Sequence, residues 1–369
     1  DSPYDVGLVY HDLGLSHELV GDLPAAVEDY RAALRRWRRL GNLAPWANTL
    51  NGLGVVYYRQ ADYDRALATL TEAREKAQQA GDLRVEAYTW ASLGDVHSDL
   101  GAYELARQVY TQAHDVAVSA QVGFIVTYAL DALGNTLRLQ GNLLSARGKL
   151  REAMRHAREY GSDYEIGLCH TSLGILAGEE GLLEEARQRL DESIDLFESG
   201  GFERELARSW FHLAHVSFMD QDDAAALSHL ERALEIVVPL GLEQFMVVDG
   251  QRIIPLLECG VKHGIGGQDL PRILESVYAH HERVASRPEP VIAVKPGPVL
   301  EIYALGRPVV QMDGESVQWP LLRSRDLLYC LLQHRMGMTK EQIGTVFWPD
   351  HSPERLEMAF RSTLYRLRR

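Results

Sequence analysis

Cysteine is scarce. The 369 residues hold three, Cys169, Cys259 and Cys330, far apart and odd in number. No disulfide framework can be built from them, and their apolar helical settings predict buried free thiols in a reducing cytosol. No apolar run approaches the eighteen residues of a membrane span, and no secretory leader opens the chain, so no membrane contact is expected and the placement is cytoplasmic. The first residue is Asp1 rather than methionine, which reads as a fragment of a longer protein. The Gly-x-x-x-x-Gly-Lys-Ser/Thr phosphate loop is also missing. His280 and His281 are adjacent and point to different helix faces, and His263 has no cysteine near it, so no metal site is expected. Cys330 lies among Leu327, Leu328 and Leu331 with no base in evidence. No nucleophilic or acid–base constellation stands out, so neither catalysis nor a cofactor is expected.

What is present is a forty-residue period. Leu-Gly pairs stand at Leu13-Gly14, Leu53-Gly54, Leu93-Gly94, Leu133-Gly134 and Leu173-Gly174, with Leu213-Ala214 and Ile253-Ile254 as weakened continuations. Ala26, Ala66, Ala106, Ala146, Ala186 and Ala226 keep the same step. So do Gly41, Gly81, Gly161, Gly201 and Gly241, with Gln121 the exception. A fixed period of this length means a solenoid of stacked supersecondary units. Each unit reads as two amphipathic helices. In the second, helix A spans about 45–60 and helix B about 63–80, with apolar residues at three- and four-residue steps. The repeat glycine and alanine let helices approach closely, and large residues such as Leu53 and Leu70 fill the remaining space. Seven units are counted. The last, about 244–286, is degenerate, with Pro255 inside its helix A and a glycine-rich turn at 264–267. The first starts in mid-phase without capping character.

An aromatic or large residue such as Trp90, Leu-Gly three and four residues later, a bulky residue such as His97, and the helix-B alanine form a pattern that resembles the tetratricopeptide repeat over about 1–286. The departure is length, forty residues rather than thirty-four. The lengthened form resembles the sensor solenoid of bacterial regulators of the maltose-activator (STAND) type. That resemblance implies a right-handed α-solenoid and, in full-length relatives, a nucleotide-hydrolysing switch domain ahead of it.

The period stops at 287–298, where four of the fourteen prolines fall within twelve residues and mark a semi-rigid linker. Residues 299–369 read as a small α+β domain: strands at 299–304 and 308–312, a hairpin signal at Asp313-Gly314, then three helices. The second helix starts behind Thr339 as N-cap, and the third follows Ser352-Pro353. Charge divides the chain in the same way. From 287 on, twelve Lys and Arg stand against nine Asp and Glu, while the preceding residues carry a net charge of −17. The stretch 347–350 followed by 361–369 is similar to the winged helix-turn-helix domain of OmpR/PhoB-type, SARP-like activators. The resemblance implies DNA contacts by Arg361, Ser362, Thr363, Arg366 and Arg368. The outer face of the third helix adds Tyr365 and Arg369, and Thr339 and Lys340 could grip a phosphate at the start of the second. The chain stops before the β-hairpin wing of that family.

Helix A lines the concave side of such a solenoid. Positions six and three before the repeat glycine, and one, four and five after it, are expected to face the groove. They give Asn48, Asn51, Tyr58, Arg59, Tyr88, Asp95, Asp99, Tyr128, Asp131, Asn135, Arg138, Phe211 and His215. A groove rich in Asn, Asp, Arg and Tyr suits a peptide, a protein segment or a small polar ligand. The expected whole is a transcriptional regulator. Its solenoid senses a ligand or partner, and its winged helix binds DNA, with an oligomer compatible with either part. The alternatives are an interaction scaffold whose winged helix docks on protein, and a peptide receptor that uses the groove alone.

Overall fold

The computed structural model describes residues 2–286 throughout. Beyond them it describes 300–303, 309–312, 315–316, 319, 322–333, 339–349, 352, 355–357, 359–360 and 363. The chain forms two compact units, Asp1–Pro290 and Val291–Arg369. The expected linker at 287–298 lies outside the described residues.

The first unit is a stack of helix pairs. The pairs are α1 (Pro3–Leu19) with α2 (Leu23–Leu40), α3 (Leu43–Arg59) with α4 (Tyr63–Ala80), and α5 (Leu83–Asp99) with α6 (Tyr103–Ala120). There follow α7 (Gly123–Leu139) with α8 (Leu143–Tyr160), α9 (Asp163–Glu179) with α10 (Leu183–Gly200), and α11 (Glu203–Met219) with α12 (Asp223–Val237). The forty-residue period is therefore one helical hairpin. The seventh unit is α13 (Gln244–Gly250), α14 (Ile254–Lys262) and α15 (Asp269–Ser286). Its first helix is broken in two rather than merely irregular. Pro255 sits at the start of α14, where a missing amide costs nothing.

Each hairpin turns through a left-handed residue and then an N-cap. Gly21, Ala61, Gly101, Gly141, Gly181 and Gln221 all have positive φ. In five of the turns and inter-unit joints an aspartate or asparagine follows and accepts a backbone N–H three residues on: Asp22, Asp62, Asp82, Asn142 and Asp222. Between units, Gln121 takes the left-handed conformation despite its side chain, while Gly161 is extended with φ −91°. Sequence had marked the former as the irregular position. In the structure the irregular one is the latter, and there the Ser162–Glu165 capping box starts the next helix instead.

The repeat residues are the contact points of the stack. The six periodic alanines from Ala26 to Ala226 are fully buried. A Cβ built on Gly94 would lie 2.4 Å from the Tyr110 ring, and one on Gly54 would lie 2.6 Å from Leu70, so each glycine is a seat for a large residue sixteen positions on. The first hairpin is in phase, with the same seventeen-residue helix A as its successors, which corrects the expected mid-phase start. Leu13 is 41% exposed, whereas Leu53 and Leu93 at the same repeat position are 5% and 4% exposed, because no helix precedes α1 among the described residues. None of the three cysteines is disulfide-bonded; Cys169 is buried, and Cys259 and Cys330 are half-buried rather than buried as expected.

In the second unit, β1 (Leu300–Tyr303), β2 (Val309–Met312) and β3 (Glu315–Ser316) pair in that order as an antiparallel sheet, with Leu300 opposite Met312 and Gln311 opposite Ser316. The helices α16 (Leu322–Gln333) and α17 (Lys340–Phe347) follow, the second capped by Thr339, and residues 355–357, 359–360 and 363 are helical where the third helix is expected. Leu327, Ile343 and Trp348 are buried together, with Phe347, Ala359 and Phe360 packed against them.

Candidate ligand chamber in the first unit

Helices A of successive units run side by side, and their inner faces enclose a cavity of about 1030 Å³. Twelve of the thirteen expected groove residues line it, from Asn48 on α3 to His215 on α11. Phe211 does not. Its side chain is fully buried in the core, 5.7 Å from the His212 ring and 6.1 Å from Phe245. The same repeat position is buried in the third and fifth units as well, at Ala91 and Thr171, whereas the residue after it lines the cavity in each of units two to six, from Gly52 to His212; in the sixth, Phe245 on α13 packs against the buried Phe211.

Two rows of lining residues escaped the sequence rule. One lies two residues before the repeat glycine and includes Ser92, Ser172 and His212. The other lies ten before it and gives Arg84, Phe124, Tyr164 and Arg204, forty residues apart, near the starts of helices A. The phase already on hand, extended by one helical turn toward the N-terminus, would have found the second row.

The wall is cross-linked from unit to unit at one spacing. Arg59 Nη1 donates to the Glu18 carbonyl (3.2 Å), Ser92 Oγ to Asn51 Oδ1 (3.2 Å), Ser172 Oγ to Asp131 Oδ2 (2.8 Å) and Arg208 Nε to Asp249 Oδ2 (2.8 Å). Arg138 reaches Glu179 in the same way, as does Tyr164 its partner Glu205. In every case the partners are forty-one residues apart, one repeat plus one residue.

The seventh unit covers one rim. Its residues meet the turn edges of earlier hairpins. Gln244 Nε2 donates to Asp99 Oδ2 (2.6 Å), Arg252 Nη2 donates to the Leu139 carbonyl (3.0 Å), and Arg252 Nη1 lies 3.4 Å from Glu179. His280 Nε2 lies 3.0 Å from the Asp99 carbonyl, and its ring packs 6.0 Å from Tyr63. At Gly101, left-handed and without a side chain, Val284 fits where a Cβ would stand 2.5 Å from it. The stack thus bends round until its last unit touches hairpins one hundred and more residues earlier. The opposite rim, where helices A begin, carries no such cover among the described residues.

Inside, charges are held unequally. Burial alone would raise the Asp249 carboxyl, but the Arg208 guanidinium and the His212 hydrogen bond (3.0 Å) outweigh it and hold the group far below the usual carboxylate range. Asp95 accepts from the hydroxyls of Tyr110 (2.7 Å) and Tyr128 (2.8 Å), and burial pushes its pKa up to about 6. Tyr110 reaches Asp95 from the core side because Gly94 leaves room for its ring. Burial raises Asp131 to about 6 and, with the neighbouring Asp95 charge, Asp99 to about 7. Burial likewise lowers His215, to about 4.

Of the nine candidate DNA contacts, six lie outside the described residues: Arg361, Ser362, Tyr365, Arg366, Arg368 and Arg369. Thr339 is exposed and forms a capping box with Gln342. Lys340 is ion-paired with Glu357. Thr363, expected among the contacts, is instead buried, its hydroxyl donated to the Ala359 carbonyl of its own helix (2.8 Å). No group of metal-ligating side chains, and no helix long and apolar enough to cross a membrane, occurs among the described residues.

The tetratricopeptide-repeat family model matches residues 5–79 and 47–117, so the chain contains such repeats. Among curated proteins, it is 26% identical over 195 residues to Tetratricopeptide repeat protein 29 of Macaca fascicularis and 25% identical to that of Homo sapiens. Each match covers 50% of this chain but only 41% of the relative, so the chain spans well under half the length of the curated relatives it matches. Among solved structures, a Rap protein complexed with Competence and Sporulation Factor superposes with a TM-score of 0.60 at 14% identity, covering 75% of each chain. The Rap conjugation gene regulator of plasmid pLS20, complexed with the Phr* peptide, gives 0.59 at 17% identity, covering 74% of this chain and 73% of its own. NprR in complex with its cognate peptide NprX gives 0.55 at 14% identity, covering 77% and 79%. The first unit shares the helical-solenoid fold of these three proteins.

Proposed function

We propose that this chain acts by binding rather than catalysis, as a regulator whose solenoid receives a short peptide and whose C-terminal unit delivers the output on DNA. The observation that carries the first half is the chamber. Its volume of about 1030 Å³ stands at the upper end of what drug-sized ligands fill, so it suits a chain of several residues better than a metabolite. The seventh unit lies across one rim, so a ligand enters from the opposite one. The wall offers donors and acceptors at every repeat, as an extended backbone needs along its length. Two regulators of similar fold were solved with peptides bound, which agrees with the reading.

The test uses the full chain and a randomised library of five-residue peptides. After gel filtration, the chain is expected to retain a subset of the library. Ser98 lines the chamber, and Ser98→Trp, which fills it, should lower retention by about tenfold or more. If the chain retains no peptide, the receptor reading fails.

For the output, the family resemblance and the net positive charge of residues 287–369 both favour DNA. Three to six phosphate contacts should give a slope of about −3 to −5 in a plot of log affinity against log salt. Replacing Arg361 and Arg366 with alanine should flatten that slope by about two. Absence of DNA binding by the full chain at low salt would favour the scaffold alternative, in which this unit docks on protein.

A further inference from the structure

The carboxylates around the chamber fall into two sets. Glu18, Glu179, Glu205 and Asp249 each lie against an arginine: Arg59 at 3.4 Å, Arg138 at 2.5 Å, Arg204 at 3.4 Å and Arg208 at 2.8 Å. Asp95, Asp99 and Asp131 have no such partner among the described residues. The side chains that hydrogen-bond them are neutral: two tyrosine hydroxyls on Asp95, the Gln244 amide with the Tyr58 and Tyr63 hydroxyls on Asp99, and Ser172 with the Asn135 amide (3.0 Å) on Asp131. The second oxygen of Asp131, Oδ1, is buried with no hydrogen-bond partner at all. Within one interior, then, every other lining carboxylate is in contact with an arginine, while Asp95 and Asp131 feel Arg204, Arg208 and Arg138 only from a distance.

The three belong together. Asp95 and Asp99 stand one turn apart on the inner face of α5, and Asp131 is on α7, the next helix A. Aromatic rings flank them. Tyr128, which donates to Asp95, stacks 6.0 Å from Phe124, and Phe124 lies 6.2 Å from both Tyr88 and Tyr164. Buried carboxylates are costly unless a cation meets them, and an unpaired buried oxygen is costly in its own right. Ring faces beside them are a second attraction for positive charge.

We infer that Asp95, Asp99 and Asp131 form the subsite for a positively charged group of the ligand, an ammonium or a guanidinium, seated between the carboxylates and the Phe124–Tyr128 rings. This rests on the reading of the chamber as a peptide receptor. It narrows the ligand to a peptide bearing lysine, arginine or a free amino terminus at the position that reaches α5 and α7. The bound cation supplies these three carboxylates with the close counter-charge that the other lining carboxylates already have. The raised pKa values of all three carboxyls agree with a site built for a missing cation, since such a charge would draw them back to the ionised form.

The experiment compares two forms of the five-residue library, one with free and one with acetylated amino termini, on the full chain. Sequencing the retained peptides should show Lys or Arg enriched about fivefold or more at one position in both forms, which assigns the cation to a side chain, or retention of the free form alone, which assigns it to the terminus. In the Asp95→Asn/Asp131→Asn double variant the preference for the charged peptides should fall to near unity. Should that variant fail to fold by circular dichroism, Asp131→Asn alone, which leaves the Asp95 hydrogen bonds intact, serves in its place and should at least halve the preference. Retained peptides with no cation preference, or a preference that survives both substitutions, would overturn this inference and leave the receptor reading standing. Retention of nothing by the parent chain overturns the receptor reading itself.

Discussion

Asp249→Ala should destabilise the first unit by about 2–4 kcal/mol, a little under the range of about 3–5 kcal/mol for breaking a fully buried ion pair, because the Arg208 side chain is 27% exposed. The substitution strands two groups at once. Arg208 loses its carboxylate at 2.8 Å and His212 loses its acceptor at 3.0 Å, both in a wall that water barely reaches. Part of the cost comes from the position of the pair, because it links α11 to α13 and so anchors the unit that covers the rim. Hydrogen exchange should therefore quicken in α13 and at the His280 contact before it does so in α5 or α7. The pH dependence has a definite sign. The Asp249 carboxyl titrates below its unfolded value of about 3.9, so its contribution is fully present above that pH and is lost as pH falls toward the depressed value. The gap in melting temperature between parent and variant should widen as pH falls through the ordinary histidine range, because His212 then lacks the carboxylate that favours its charged form, and should begin to narrow only below about pH 4. An apolar pair, Asp249→Leu with Arg208→Met, should recover much of the loss, since both charges then leave together. A variant with unchanged melting temperature would show that the pair contributes nothing to holding the rim.

Phe197→Ala should cost about 3–5 kcal/mol, read as a lowered midpoint in thermal or urea unfolding. Phe197 on α10 is fully buried. Its ring packs 6.1 Å from Tyr164 and 6.2 Å from Phe202, and a Cβ on Gly167 would stand 2.6 Å from it, so the helix pair has been brought close around this one side chain. Truncation leaves a void that neighbouring helix backbones cannot fill by small shifts. The effect reaches the chamber because Tyr164, whose ring is 4.8 Å from Phe202, is a lining residue held in place from behind by these two phenylalanines. Peptide retention should accordingly weaken even under conditions where the variant is folded. Phe197→Leu, which restores most of the volume, should give back most of the stability. Equal melting temperatures for parent and Phe197→Ala would refute the packing account.

Much of this was legible in the sequence because steric seats repeat. Glycine is needed wherever a Leu70 or Tyr110 lies against helix A, so the seats appear as a period, and the period fixes helix phase and inner face. The phase placed Tyr88, Asp95 and Tyr128 around one cavity with no structural information. It failed where long-range contacts override local pattern. Phe211 occupies an inward position by phase, but that position lies at the edge of the inner face and its neighbours decide it: Asn51 and Asp131 reach the cavity, while Ala91, Thr171 and Phe211 are buried. The rim closure was not legible at all. Gln244 meets Asp99 across 145 residues of sequence, and neither residue type predicts such a meeting. The unequal treatment of the carboxylates was hidden for the same reason: Asp249 and Asp131 read alike as letters, and only the neighbours from other units distinguish them.

The closure has a consequence for how this molecule can change. An open array gains or loses repeats freely, each contributing its own increment of stability. Removing one internal block of forty residues here would preserve the spacing of forty-one in the remaining rungs of the wall. It would also carry α13 and α15 one station round the circle, away from Asp99, Leu139 and Glu179. The circumference is thus a counted quantity. Six hairpins bring the seventh unit home and five would not, so the protein is free to vary residues within a repeat but is held to the number of repeats.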